Sequence, residues 1–199
     1  MSSAQWSEVT DHIWIGSYPK DKDTLRVLKN STECTAILSL QSDADHDFYK
    51  LDWFELQEDA EKLDFVMSRI PMNDFDLEHQ RKVLGEAVHG LASLLSKNHT
   101  VYLYCSDGIN RSPLVVLAYL TFCLGQSLEE ANLLLLTKHP LSAPPIEVWR
   151  ASRLELLKNK DSQVESLTHK THSPLSVDNA EKQILQSLFL PQARENYGL

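Results

Sequence analysis

The sequence predicts an α/β sandwich in which a mainly parallel central sheet is flanked by helices. Three observations carry this. Short runs of apolar, β-branched and aromatic residues alternate with stretches of helical periodicity. Polar or turn-forming residues bound each run. The clearest run, residues 100–104, passes through a glycine-containing loop into a helix that opens at Ser112-Pro113.

Taken in order, Ile13-Trp14-Ile15 before Gly16 reads as a short strand ending in a turn, and residues 23–28 read as a helix. Residues 35–40 (Thr-Ala-Ile-Leu-Ser-Leu) have the pattern of a buried strand, which empties into an acidic stretch, 41–47, expected to be a solvated loop. Residues 65–70 alternate as a strand and 71–76 form a loop, after which Leu84, Val88, Leu91, Leu94 and Leu95 fall on one helical face. Residues 100–104 give another strand. Pro113, in the first turn of the helix that follows, is pre-organised and costs no hydrogen bond there. Residues 128–138 form a helix with Ser127 as N-cap, and 146–157 form another. Ser, Thr, His and Lys dominate 159–178, which reads as a linker, and 180–189 as a short amphipathic helix that docks on the domain or on a partner. The expected organisation is one domain over 6–158, a linker over 159–178 and a C-terminal segment over 179–199.

Composition sets the outer limits. A chain of 199 residues with 42% hydrophobic and 24% charged residues suits one core plus an appendage. A net charge of −9 argues against sequence-independent nucleic-acid binding, so any phosphate site must be local. The longest apolar stretch, around 114–124, is interrupted by Thr121 and too short to cross a bilayer, and no charged start precedes an apolar run at the N-terminus. A soluble, cytoplasmic protein without membrane or nucleic-acid partners is expected. Cys34, Cys105 and Cys123, an odd number spaced by 71 and 18 residues, fit neither a disulfide framework nor a zinc site. A reducing compartment follows, with one thiol left for chemistry and no metal or cofactor called for.

The chemistry concentrates in Cys105-Ser106-Asp107-Gly108-Ile109-Asn110-Arg111-Ser112. A loop between a strand and a helix N-terminus can turn successive N–H groups into one concavity, to which the helix adds roughly half a positive charge. Cys105 at its base would have its thiolate stabilised by that field. Arg111 can grip two phosphoryl oxygens at once, which lysine cannot do. Gly108 gives the backbone freedom that a tight nest needs, and the Ser112 hydroxyl lies in sequence where it could aid thiolate release. Ser106, Asp107, Ile109 and Asn110 complete the loop that would bind substrate.

These residues resemble the signature loop of the protein tyrosine and dual-specificity phosphatases. The resemblance implies their fold, a phosphocysteine intermediate and a general-acid aspartate from a separate loop. Ile70-Pro71-Met72-Asn73-Asp74-Phe75-Asp76 lies about thirty residues upstream, at the spacing of small dual-specificity domains, with Asp74 the first choice and Asp76 the second. Ile13 to Ser17 resembles the opening strand of such domains. Ile37-Leu38-Ser39-Leu40-Gln41 with Asp43, Asp45 and Asp52, together with the Asp74-Phe75-Asp76 triplet, resembles the plant starch-glucan phosphatases and, more distantly, the laforin-like ones. Tyr104 stands where the family has histidine, and Asp107 and Asn110 stand where glucan phosphatases have alanine and glycine. The substrate implied is phosphoglucan, with phosphotyrosine and phosphoserine or threonine in proteins as the alternative. A pseudophosphatase that only binds phosphorylated ligands is the third reading. Trp53, Phe54 and Phe75 are candidates to stack on sugar rings, and Phe75 and Asp76 are expected substrate contacts.

Overall fold

Five strands form one sheet in the order β1-β2-β5-β3-β4, where β1 is Trp6–Thr10, β2 Ile13–Gly16, β3 Ala36–Ser39, β4 Val66–Arg69 and β5 Val101–Tyr104. The computed structural model describes residues 6–169 and 175–190. Only β1 runs antiparallel, pairing with β2; β2, β5, β3 and β4 are mutually parallel. The alternation of side chains along a strand sorts the apolar residues onto two faces. Ile37, Tyr102 and Tyr104 pack with Leu25, Leu28, Leu56 and Ala60 from α1 (Lys22–Ser31) and α3 (Trp53–Glu61). Ala36, Leu38, Val101 and Leu103 face the larger cluster on the other side.

That larger cluster is built from α4 (Leu77–Ser96), α5 (Arg111–Ala118), α6 (Leu128–Lys138) and α7 (Ile146–Leu157). Every residue of α5 is buried, as expected of a helix that is apolar on all sides. Leu114, Val115, Val116 and Leu117 are each fully withdrawn from solvent, which stabilises the fold by about 1.5–3 kcal/mol per side chain. The helix continues as a π-helical turn, Tyr119–Cys123. There the Thr121 hydroxyl donates to the Leu117 and Ala118 carbonyls and accepts from Trp149 Nε1 at 2.8 Å, an insertion into the carbonyl ladder that widens the turn.

Four features depart from the sequence expectation. Strand β1 went unpredicted because only Val9 in it is buried, leaving a weak pattern. The acidic stretch expected as a solvated loop is a helix, α2 (Asp43–Tyr49), started by a capping box between Ser42 and Asp45. Helix α3 is capped by Asp52, which accepts from the N–H groups of Phe54 and Glu55. Within the stretch expected as a linker, Asp161–His169 forms α8, whose Val164 and Leu167 meet Leu175, Ala180 and Ile184 in a small cluster of their own. Helix α9 (Val177–Phe189) docks on the domain: Phe189 stacks on Phe122 with ring centroids 6.1 Å apart, and Gln186 Nε2 donates to the Cys123 carbonyl. The expected linker at 170–174 and the end of the C-terminal segment, 191–199, lie outside the described residues. No described helix is long and apolar enough to cross a membrane.

Candidate active site

Ligands of open α/β sheets gather outside the carboxyl ends of the strands, and here three loops converge at that edge. Residues 105–110 follow β5, α2 follows β3, and residues 70–76 follow β4. Backbone hydrogen bonds fasten the three together. Leu40 N–H donates to the Tyr104 carbonyl at 2.9 Å, Met72 N–H to the Leu40 carbonyl at 3.0 Å, and Tyr18 N–H to the Ser106 carbonyl at 3.2 Å.

Cys105 closes β5 and is only 3% exposed. Gly108 sits at φ +75°, and a Cβ there would lie 2.6 Å from the Gly16 carbonyl carbon. Glycine is therefore required twice over, for the left-handed backbone and for the close approach of the loop to β2. Beyond it the Ile109 carbonyl accepts from Ala143 N–H at 2.8 Å and Asn110 Nδ2 donates to the Ala143 carbonyl at 2.7 Å. The loop is thereby pinned against the segment before α7, and α5 begins with its first-turn N–H groups at the loop. The Ser112 hydroxyl is buried there and has no partner among the described residues.

Arg111 is the best-anchored polar side chain of the site, 1% exposed. Its Nη1 donates to Asp45 Oδ2 at 2.7 Å and to the Met72 carbonyl at 2.8 Å. Its Nη2 donates to Asp45 Oδ1 at 3.1 Å, Asp74 Oδ2 at 3.0 Å and Ser106 Oγ at 2.9 Å. The Nε, also buried, has no partner among the described residues. Burial opposes the charge on the guanidinium. The hydrogen bonds it donates to Asp45 and the charges of Cys105, Asp45 and Asp74 outweigh that and raise its pKa. Asp45 shows the mirror image. Burial works against its ionised form, yet hydrogen bonds from Arg111 and Ser42 hold its carboxyl well below the usual carboxylate range.

The structure thus brings Cys105, Ser106, Gly108, Arg111, Ser112 and Asp74 to one place. Asp74 and Asp76 part company. Asp74 touches Arg111, while Asp76 is exposed and caps α4 by accepting from His79 N–H at 2.9 Å. The Asn110 side chain is engaged with Ala143, and Asp107 is exposed at the mouth. Phe75 takes a left-handed backbone, φ 55°, and its side chain is 89% exposed. A cavity of about 620 Å³ opens above the loop, lined by Asp45, Phe48, Tyr49, Asp74, Phe75 and Asp107 among others. Trp53, expected as a sugar platform, instead stacks on His46 at 5.9 Å beneath Arg69, and Phe54 is not among the lining residues. Tyr104 packs on the α1 and α3 face, away from the cluster that holds Cys105, and burial pushes its phenol up. A larger groove of about 960 Å³ lies elsewhere, between α1 and the loop after α6.

Sequence reasoning named Asp45 only within a resemblance and gave it no role at the site, and it did not single out Phe48 or Tyr49. The signal for Asp45 was the Ser42-x-x-Asp45 spacing, a capping-box pattern marking a helix start in a run expected to be a loop. Among the described residues, no group of three or more His, Cys, Asp and Glu side chains is placed to hold a metal ion.

The dual specificity phosphatase catalytic domain family matches residues 13–185 of the chain. The chain belongs to that family. It is 31% identical over 127 residues to the chloroplastic phosphoglucan phosphatase LSF1 of Arabidopsis thaliana, a match covering 64% of this chain and 21% of that protein. It is 30% identical over 154 residues to the amyloplastic phosphoglucan phosphatase DSP4 of Castanea sativa (76% of this chain, 40% of that protein). With laforin of Mus musculus it shares 26% over 147 residues (68% of this chain, 44% of that protein). The chain therefore spans under half the length of these relatives. Among solved structures, a human tyrosine phosphatase-like serine/threonine/tyrosine-interacting protein superposes with a TM-score of 0.60 at 18% identity, covering 74% of this chain and 93% of that one. The crystal structure of Tk-PTP in its active form gives 0.56 at 21% identity, covering 75% of this chain and 93% of that one. These two likenesses establish the fold.

Proposed function

We propose that this domain is a cysteine-dependent phosphomonoester hydrolase working through a phosphocysteine intermediate, with phosphorylated glucan as substrate. The observation that carries the reading is the cradle around Cys105: a glycine-dependent loop, a helix N-terminus and a buried Arg111 whose Nε has no partner among the described residues. In the first step the Cys105 thiolate attacks phosphorus and the ester oxygen leaves, taking a proton from Asp74. Arg111 and the loop N–H groups hold the phosphoryl oxygens. In the second step water, giving a proton back to Asp74, attacks the phosphocysteine; phosphate departs and the thiolate is restored, with the Ser112 hydroxyl donating to it. Asp74 is favoured over Asp76 as the acid because its carboxylate already reaches Arg111, whereas that of Asp76 is engaged as a helix cap.

The glucan assignment rests on the likeness to the plant phosphoglucan phosphatases and on the mouth itself. Exposed rings of Phe48 and Phe75 and the partly covered Tyr49 stand over an acidic rim of Asp74, Asp76 and Asp107. Rings stack on sugar faces, and a carboxylate rim tolerates a neutral polymer bearing an isolated phosphate better than a densely charged carrier. A phosphoprotein phosphatase is the alternative within the same chemistry, and the presence of both Cys105 and Arg111 counts against a mere binder of phosphorylated ligands. Three buried, unpaired cysteines suit a reducing compartment such as the cytoplasm. Phosphate release measured side by side on amylopectin and on phosphotyrosine and phosphoserine peptides is the test. Faster release from peptides would move the substrate to protein, and none from any substrate or from p-nitrophenyl phosphate would end the hydrolase reading.

A further inference from the structure

We propose that Asp45 is the positioning residue of the phosphate site, holding the Arg111 guanidinium so that its Nε faces the cradle; this rests on the hydrolase reading above. Both Nη atoms are spoken for. Asp45 takes one hydrogen bond from each, at 2.7 and 3.1 Å, in the two-pronged arrangement that fixes a guanidinium plane as well as its place. The Met72 carbonyl takes a second bond from Nη1, and Asp74 and Ser106 share Nη2. With both Nη atoms so engaged, Nε is the guanidinium donor left without a partner among the described residues, and together with the equally unpartnered Ser112 Oγ it marks where an oxyanion would be received.

Asp45 is itself held on three sides, as a positioning group must be. Ser42 donates to it through both N–H and hydroxyl at 2.7 Å, and Ser106 Oγ donates to Oδ1 at 2.9 Å. The strand-to-helix turn that delivers it is fastened by Arg69, which donates to the Gln41 carbonyl at 2.8 Å and to Asp43 at 2.6 Å. The side chain is 10% exposed, against 27% for Asp74. Of the two carboxylates on Arg111, Asp74 is the one free to exchange its contact for a phosphoryl oxygen, while Asp45 stays. The opposite expectation is equally definite: a carboxylate that merely competes with phosphate for the guanidinium would, on removal, let oxyanions bind more tightly.

The test compares wild type, Asp45→Asn and Ser42→Ala by tungstate binding calorimetry, thermal melting and kinetics on p-nitrophenyl phosphate. Asparagine keeps the volume but puts an NH₂ against a donor, so tungstate affinity and kcat/KM are expected to fall about 10-fold or more. Ser42→Ala loosens the same helix start and lowers the melting temperature, yet leaves the carboxylate on Arg111, so its tungstate affinity should fall less than 3-fold. Equal or tighter tungstate binding in Asp45→Asn would overturn the proposal, as would equal losses in the two variants. Tungstate binding is read without turnover. A wild-type protein that binds tungstate but hydrolyses nothing would therefore sink the hydrolase reading while still deciding whether Asp45 positions Arg111.

Discussion

At the floor of the cleft, Arg111 is 1% exposed and Cys105 3%, and each loop there is bonded to the next through its backbone. At the mouth, a few residues away, Phe75 is 89% and Phe48 77% exposed, and Phe75 holds a left-handed backbone that a non-glycine residue adopts at a cost. The floor is over-determined: Gly108 against Gly16, Asn110 against Ala143 and Asp45 against Arg111 each fix the same loop from a different element. At the mouth the contacts are between rings, Phe48 with Tyr49 at 4.9 Å and Tyr49 with Tyr18 at 4.7 Å between centroids. Under the proposed hydrolase function the difference separates two questions, since the floor would decide whether any phosphomonoester is cleaved and the mouth which.

Substitutions at the floor should therefore damage every substrate alike. Cys105→Ser is expected to remove turnover of p-nitrophenyl phosphate, amylopectin and phosphopeptide together while tungstate still binds, because a hydroxyl is far less ionised than a thiol. Arg111→Lys should cost roughly 10²–10³-fold in kcat on all three. Steady-state rates that fall on one substrate and not another would erase the distinction between floor and mouth. Next in size comes the acid. Asp74→Asn should slow amylopectin hydrolysis by roughly 10²-fold or more and p-nitrophenyl phosphate much less, since that leaving group needs little protonation, with Asp76→Asn having the smaller effect. If the two variants rank the other way, the acid is Asp76.

Gly108→Ala tests the over-determination itself. The new methyl would meet the Gly16 backbone at 2.6–2.9 Å at a positive φ, and no flexible side chain is there to yield. A loss of roughly 1–3 kcal/mol in a denaturant titration is expected, with tungstate binding lost as well. Retained tungstate affinity would mean that the loop adjusts more freely than its contacts suggest.

How much of this was legible beforehand follows the same division. The floor was readable because its parts are neighbours in the chain: Cys105, Gly108, Arg111 and Ser112 act through local backbone geometry, and the loop's spacing encodes that geometry. Asp45 was not, because its contact with Arg111 joins residues 66 apart, and the one local signal it carries, its spacing from Ser42, marks a helix start and not a distant partner. Trp53 misled for a related reason. Periodicity says that a ring is available, but only the packed structure shows it spent on His46 and Arg69. Helix α8 was missed because two apolar residues in nine, Val164 and Leu167, make too thin a stripe to read until Leu175, Ala180 and Ile184 close over it. The parallel sheet, by contrast, announces itself through nearly continuous apolar runs, as buried parallel strands do.

At the mouth, Phe75→Ala should leave kcat/KM for p-nitrophenyl phosphate within about 2-fold and lower it several-fold for amylopectin, since one exposed ring contributes about 0.5–1.5 kcal/mol to stacking. An equal change on both substrates would place Phe75 in the floor.

The smallest effect concerns two histidines that support these regions from behind. His46 is the buried residue of α2 and stacks on Trp53, and His139 bonds Ser7 Oγ through Nδ1 at 2.8 Å with the Gly108 backbone facing its ring. Burial lowers the pKa of both, Arg69 adding to the effect at His46. A histidine held neutral in the fold contributes stability that is fully present above its unfolded pKa, about 6.5. As the pH falls below that value the unfolded chain binds protons that the folded one resists, and the contribution drains away toward the lowered folded value. The melting temperature should accordingly fall by a few degrees between about pH 7.5 and pH 5.5, before any carboxylate titrates. His139→Gln and His46→Gln should each start lower and give a flatter slope over that window. Because His139 abuts the floor and His46 follows Asp45 directly in α2, the slope of tungstate affinity against pH should flatten in step with the slope of melting temperature in each variant. A wild-type melting temperature indifferent to pH across that window would show that neither imidazole is held neutral by the fold.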